Sequence, residues 1–210
     1  MKKLFLASVL FLVHLFLFAQ KKAVTETGEE VILYTDGSWK YVDSSSVKET
    51  AIGTNSKPFK KKISSSFLLK STNINIGVWL DPKKWSFKKG GTDDAAEYEL
   101  ELKGKDLYGL LITEKVEFPL ETFKMIALEN AKEASPDIKI VKQEYRTVNG
   151  KKLLMLQMDG TMQGVKFSYY GYYYSNTKGS VQFVTYTAQN LLNDYLEDIE
   201  EILNGLVTIE

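Results

Sequence analysis

Residues 138–188 hold four consecutive β-patterned runs, and the turns between them leave the chain few folds to choose from. "IKIVKQEYRTV" and "KKLLMLQMDG" flank Asn149-Gly150. That dipeptide suits a two-residue type I′ hairpin, because both central positions need positive φ. "VKFSYYGYYYSN" and "SVQFVTYTA" form a second hairpin through Thr177-Lys178-Gly179. The centre of the molecule is therefore expected to be an antiparallel sheet.

Helices flank that block. "FPLETFKMIALENAKEASP" reads as a helix: Pro119 suits its first turn, and Leu120, Phe123, Ala127, Ala131 and Ala134 recur as one stripe. Ser135-Pro136 stops it. "QNLLNDYLEDIEEILNGL" is amphipathic, with Leu192, Tyr195, Leu196, Ile199, Ile202 and Leu203 on the apolar side and Asn204-Gly205 as its stop. Upstream, "NINIGVWL" runs into Asp81-Pro82, while "YELELK" and "YGLLITEK" are strands joined across Gly104. Strands, a helix, four strands and a helix, without βαβ alternation, predict an α+β domain over 67–210 with a largely antiparallel sheet.

A smaller β-pattern precedes it. "EVILYTDGSWKYV" places Asp36-Gly37 between aromatic-rich runs, which predicts a two-residue hairpin with Tyr34 opposite Trp39 and Ile32 opposite Tyr41. Val24 begins a third strand through Thr27-Gly28, so residues 20–42 are expected to be a β-meander. The stretch resembles the "V-x-L-x-x-D-G-T-W-x-Y" segment found near the N-terminus of many secreted bacterial proteins, with Ser38 where Thr is usual. Residues 43–66, "DSSSVKETAIGTNSKPFKKKISSS", are rich in Ser, Lys and Thr and read as a mobile linker.

The first residues set the compartment. Lys2-Lys3 followed by "LFLASVLFLVHLFLFA" has the layout of a secretory signal peptide, residues 1–19, cleaved after Ala19. The apolar run is shorter than the roughly 20 residues of a membrane span, so no span is expected after cleavage. A periplasmic or secreted protein follows. Its only histidine, His14, lies within the signal segment, and cysteine is absent. Imidazole- and thiol-based nucleophile activation are thereby excluded for the mature chain, and zinc sites, usually built from these residues, are disfavoured. No cofactor and no metal site is expected. The 27 basic and 27 acidic residues balance, and removing Lys2 and Lys3 leaves 25 against 27. Arg146 is the sole arginine; with so few guanidinium forks, nucleic acid is not the expected partner.

Several residues are candidates for contact. On an alternating strand, Tyr170, Tyr172 and Tyr174 share one face, and Phe167, Tyr169 and Tyr173 the other. Such a strand is either a central one packed on both sides or the platform of a groove for sugar or protein. Trp79 and Trp85 frame the Pro82 turn, either closing the core or forming an aromatic edge. Trp39 and Tyr41 mark the meander. Asp93, Asp94 and Glu97 lack calcium-loop spacing and read as an exposed loop. Asp194, Glu197, Asp198, Glu200 and Glu201 read as the solvated side of the closing helix.

The order of elements from residue 67 onward, with "VWLDPKKW" after an early strand and aromatic hairpins between two helices, resembles the PsbP-like family. The resemblance implies an α/β/α sandwich, the fold shared by photosystem extrinsic subunits, Mog-type nuclear import factors and DcrB-like periplasmic proteins. Histidine-based metal sites of the photosystem members have no counterpart in the mature chain. The expected function is a non-catalytic binding or assembly module, whose partner is a protein or glycan of the bacterial cell envelope. The alternative is a carbohydrate-binding protein or Asp/Glu-based hydrolase that uses the tyrosine strand as its platform.

Overall fold

A computed structural model describes residues 21–24, 30–34, 37–42, 51–90 and 95–209. The expected signal segment 1–19, the expected turn at Thr27-Gly28, residues 43–50 and Asp93-Asp94 lie outside the described residues. The chain divides into two units, Met1–Lys48 and Glu49–Glu210.

The first unit is a three-stranded antiparallel sheet of β1 (Lys21–Val24), β2 (Glu30–Leu33) and β3 (Trp39–Tyr41), in that order. The meander forms as expected, but its hairpin register does not. Leu33 pairs with Trp39, and Ile32 pairs with Lys40. The Tyr34 N–H donates to Ser38 O at 2.9 Å, and the Gly37 N–H donates to Tyr34 O at 3.1 Å. Three residues therefore connect the strands, closed by Gly37 at φ 82°, whereas a type I′ turn would use two. Thr35 and Asp36 themselves lie outside the described residues. A one-residue shift exchanges the faces. Val31, Leu33 and Trp39 now share one side, with Val31 buried and Trp39 54% exposed, while Tyr34 sits on the other.

The second unit begins with β4 (Gly53–Phe59), β5 (Phe67–Lys70), β6 (Ile76–Leu80), β7 (Trp85–Lys89), β8 (Tyr98–Leu102) and β9 (Tyr108–Glu114). Helix α1 (Leu120–Ala134) is followed by β10 (Lys139–Val148), β11 (Lys151–Met162), β12 (Val165–Asn176) and β13 (Gly179–Ala188). Helix α2 (Leu192–Leu203) and β14 (Leu206–Thr208) close the chain. Eight strands form one sheet in the order β4-β10-β11-β12-β13-β9-β8-β7. Every pairing in it is antiparallel except β4 with β10, so the sheet is mixed. A smaller antiparallel sheet has the order β14-β6-β5.

The expected linker is corrected over its second half. Residues 53–59 are an edge strand of the large sheet, although only Phe59 of β4 is buried. Its partners are backbone groups in the C-terminal half of β10, Glu144–Val148, which a hydrophobicity count does not register. The segment after β4 is anchored too: the Lys61 N–H donates to Asn149 Oδ1, and Lys62 pairs with Glu197 and Glu201.

Alternation then builds two cores on the two faces of the large sheet. Leu154, Leu156, Tyr173 and Val184 meet Phe123 and Ala127 of α1. The opposite parity, with Leu153, Met155, Tyr170, Tyr172 and Phe183, packs under α2 and the small sheet through Ile199, Ile202, Leu203, Val78 and Leu80. The class is α+β with a helix on each face, as expected, and one side gains a three-stranded sheet as well. The Asn149-Gly150 turn forms as expected, with φ of 46° and 80° and Val148 paired to Lys151. Gln163-Gly164 makes a second two-residue turn, at φ 51° and 82°, joining the two expected hairpins into one four-stranded meander.

Candidate functional site

The side chains with the richest chemistry converge beneath α2. Arg146 lies on β10 at the parity of Val148, which turns it into the core, where it is 3% exposed. A buried guanidinium needs acceptors on every side. Its Nε donates to Glu144 Oε1 at 2.5 Å, and its Nη1 donates to Tyr172 Oη at 2.9 Å and Glu200 Oε1 at 3.1 Å. Nη2 donates to Tyr170 Oη at 2.9 Å. Phe59 of β4 lies 4.3 Å below the guanidinium, ring centre to carbon, in cation–π contact. Tyr172 in turn donates to Asn204 Oδ1 at 2.9 Å.

The electrostatics follow from this arrangement. Burial opposes the charge of Arg146, but Tyr172, Tyr170 and Glu144 outweigh it and hold the guanidinium protonated. Burial also works against the Glu144 carboxylate; hydrogen bonds from Arg146 and Asn55 still keep its pKa below the usual range. Burial pushes the Tyr172 hydroxyl up to about 12, with Arg146 pulling the other way, and raises Tyr170 similarly. Both phenols are thus neutral donors or acceptors at neutral pH.

A second network anchors the same helix. Glu201 is 4% exposed and takes Lys62 and Lys84, each at 3.0 Å, with Ser64 Oγ at 3.3 Å. Burial penalises the Glu201 charge, and the hydrogen bonds from Lys84 and Lys62 reverse the effect, lowering its pKa. Asp198 binds Lys84 at 3.0 Å. The expected solvated carboxylate face of α2 is therefore corrected in part: Asp194 and Glu197 are exposed, whereas Glu200 and Glu201 point at cations brought by β10, by the segment after β4 and by the β6–β7 turn. Glu97, expected in an exposed loop, is also buried. It accepts from Ser71 Oγ, Thr72 N and Oγ1, and Thr113 Oγ1, tying the β5–β6 turn to β8 and β9. Among the described residues no group of three or more His, Cys, Asp or Glu is placed to hold a metal ion.

The expected contact residues separate into two kinds. Tyr170 and Tyr172 are 2% and 0% exposed, so the tyrosine strand is packed on both faces and offers no groove platform. The reason is its place as the fourth strand of eight, between α1 and α2. Trp85 is buried as well, its indole N–H without a partner among the described residues. Tyr174 is half-buried at a shallow apolar depression lined by Ile76, Val148, Leu153, Leu206 and Lys151. The depression is too shallow to enclose a small molecule. Trp79 is half-buried with Lys61 Nζ 4.9 Å above its ring. Trp39 is exposed, and the side chain of Tyr41 lies outside the described residues.

Sequence reasoning missed two features. Arg146 could have been found: a single arginine at inward parity, two residues from the end of a hairpin strand, has to be paired. An exposed aromatic edge gave less signal. Phe67 of β5 and Phe87 of β7 are each 41% exposed and stack at 5.4 Å, with Tyr98 edge-on to Phe87 at 6.1 Å.

No protein-family model matches the sequence, and no curated protein matches it. Among solved structures, the chain is similar to cyanobacterial PsbP (CyanoP) from Synechocystis sp. PCC 6803, with a TM-score of 0.52 and 13% identity over 70% of this chain and 94% of that one. LpqN of Mycobacterium tuberculosis, described as involved in cell envelope biogenesis, gives a TM-score of 0.47 at 8% identity over 69% and 90%. PA94 from Pseudomonas aeruginosa, of unknown function, gives 0.45 at 12% over 69% and 97%. The likeness to CyanoP establishes a PsbP-like fold.

Proposed function

We propose that this chain is an exported, non-catalytic binding or assembly module whose partner is a protein or glycan of the bacterial cell envelope. One observation carries the reading. Arg146, Tyr170, Tyr172 and Glu200 are engaged with one another, and Glu201 is held by Lys62 and Lys84, so the side chains best able to do chemistry are already paired within the fold. Among the large apolar side chains left accessible are the aromatics Trp39, Phe67 and Phe87. Export rests on the Leu4–Ala19 run. Among the described residues no helix is long and apolar enough to cross a membrane.

Affinity capture with the tagged chain in its native envelope tests the proposal. A discrete protein or glycan should be retained, and Trp39→Ala should weaken its retention. Steady release of reducing sugar or peptide from envelope fractions by the purified chain would sink the non-catalytic reading.

A further inference from the structure

We propose that the outer edge of β7 is a docking strand, to which an extended partner segment of alternating acidic and apolar residues adds as a ninth strand of the large sheet. The inference rests on the binding-module reading and supplies the partner's chemistry.

The backbone comes first. β7 ends the sheet, and among the described residues no strand pairs with its outer side. Lys103 N–H donates to Lys84 O, and Gly90 N–H donates to Glu97 O, both at 2.9 Å. Antiparallel pairs alternate, so Ser86 and Lys88 direct their backbone groups inward to β8. Phe87 and Lys89 therefore direct N–H and C=O outward, as a template for another strand. Next to that template lies the stacked Phe67–Phe87 pair, which a partner's apolar side chains would cover.

Charge decides which strand fits. Residues 82–90, "PKKWSFKKG", hold four lysines and no carboxylate. Lys84 turns away to Asp198 and Glu201, and Lys88 pairs with Glu99 at 3.0 Å. Lys83 and Lys89 have no ion-pair partner among the described residues. Two copies joined by this edge would crowd the lysines of both, which is how natural sheets avoid self-pairing. The same lysines attract an acidic strand.

A fluorescent peptide of alternating glutamate and valine, about nine residues long to match a strand, is the probe. Fluorescence anisotropy at low salt should show binding to the purified chain, weakening as salt rises. A lysine–valine peptide should not bind. Lys89→Pro should weaken binding at least about tenfold, since its N–H faces outward and proline removes a docking donor without touching the β8 ladder. Its melting temperature should match wild type. Should proline unfold the strand, the pair Lys83→Glu and Lys89→Glu replaces it, and its preference should invert toward the lysine–valine peptide.

Equal binding of both peptides, or acidic-peptide binding untouched by these changes, would overturn the proposal. So would a wild-type dimer that Lys89→Pro dissolves. A native partner captured equally by wild type and Lys89→Pro would overturn the edge and leave the binding module standing. Edge binding alongside release of products from envelope fractions would overturn the module reading alone.

Discussion

Two Xaa-Gly turns with nearly the same local signal end up with different geometry. Asn149-Gly150 closes a two-residue hairpin in the register its sequence suggests. Asp36-Gly37 sits in a three-residue connection, one residue out of its expected register. The difference lies in what surrounds them. A slip at Asn149 would move Arg146, Val148, Leu153 and Met155 out of one core and Leu154 and Leu156 out of the other. A slip at Asp36 moves few buried side chains, because the first unit has little to bury. The dipeptide nominates a turn; burial on both faces of the flanking strands fixes its register.

Arg146→Met should produce the largest effect. The change keeps length and apolar bulk but leaves Glu144, Tyr170 and Tyr172 without their shared cation. Breaking a buried pair costs about 3–5 kcal/mol, and Glu200 and Glu144 retain some access to water, so about 3 kcal/mol is expected. Chemical denaturation of the second unit should show it. A loss under about 1 kcal/mol would mean that the network does not enforce the register.

Asn149→Ala comes next. Its Oδ1 accepts from Lys61 N at 3.1 Å, and its Nδ2 donates to Asn204 O and Leu206 O at 2.8 and 2.9 Å. One turn residue thus ties β4's exit and α2's exit to the β10–β11 hairpin. Net values near 1 kcal/mol per bond, with partial replacement by water, put the loss at about 2 kcal/mol. Amide exchange should accelerate at Lys61 before the central strands. Uniform acceleration across the unit would show that the turn is no separate clamp.

Gly37→Val sharpens the contrast. A Cβ there meets nothing within 4 Å, so any cost comes from φ 82° alone. That strain is on the order of 1–2 kcal/mol, enough to melt a marginal three-stranded sheet. The Trp39 fluorescence transition should disappear while the second unit melts at an unchanged temperature. Loss of stability in the second unit would show that the two depend on each other.

Much of this was legible in the sequence, for one physical reason. Where a strand or helix buries a regular stripe, as in α1, α2 and β10–β13, periodicity reports it. β4 and β14 have no such stripe. "GTNSKPF" is a strand because β10 offers it backbone partners, and that offer is written elsewhere in the chain. Glu201 and Glu97 were misplaced for a related reason: each carboxylate is buried by cations or hydroxyls from segments distant in sequence. Composition describes a residue's own preference, whereas burial of a charge depends on what arrives opposite it.

Deleting Thr35 should have the smallest effect and bears most directly on the comparison. Tyr34 and Ser38 pair across the present three-residue connection. Without Thr35, Asp36-Gly37 alone joins the same pair, which is the two-residue loop that this dipeptide favours. Leu33 would remain opposite Trp39, so Val31 would stay on its buried side and the sheet should keep its stability within about 0.5 kcal/mol. Cross-strand nuclear Overhauser contacts between Leu33 and Trp39 should persist. If Tyr34 instead moves opposite Trp39, the turn sets the register in this unit and burial of Val31 does not. The contrast with Asn149-Gly150 would then lie in turn chemistry, and the argument from burial would hold only for the second unit.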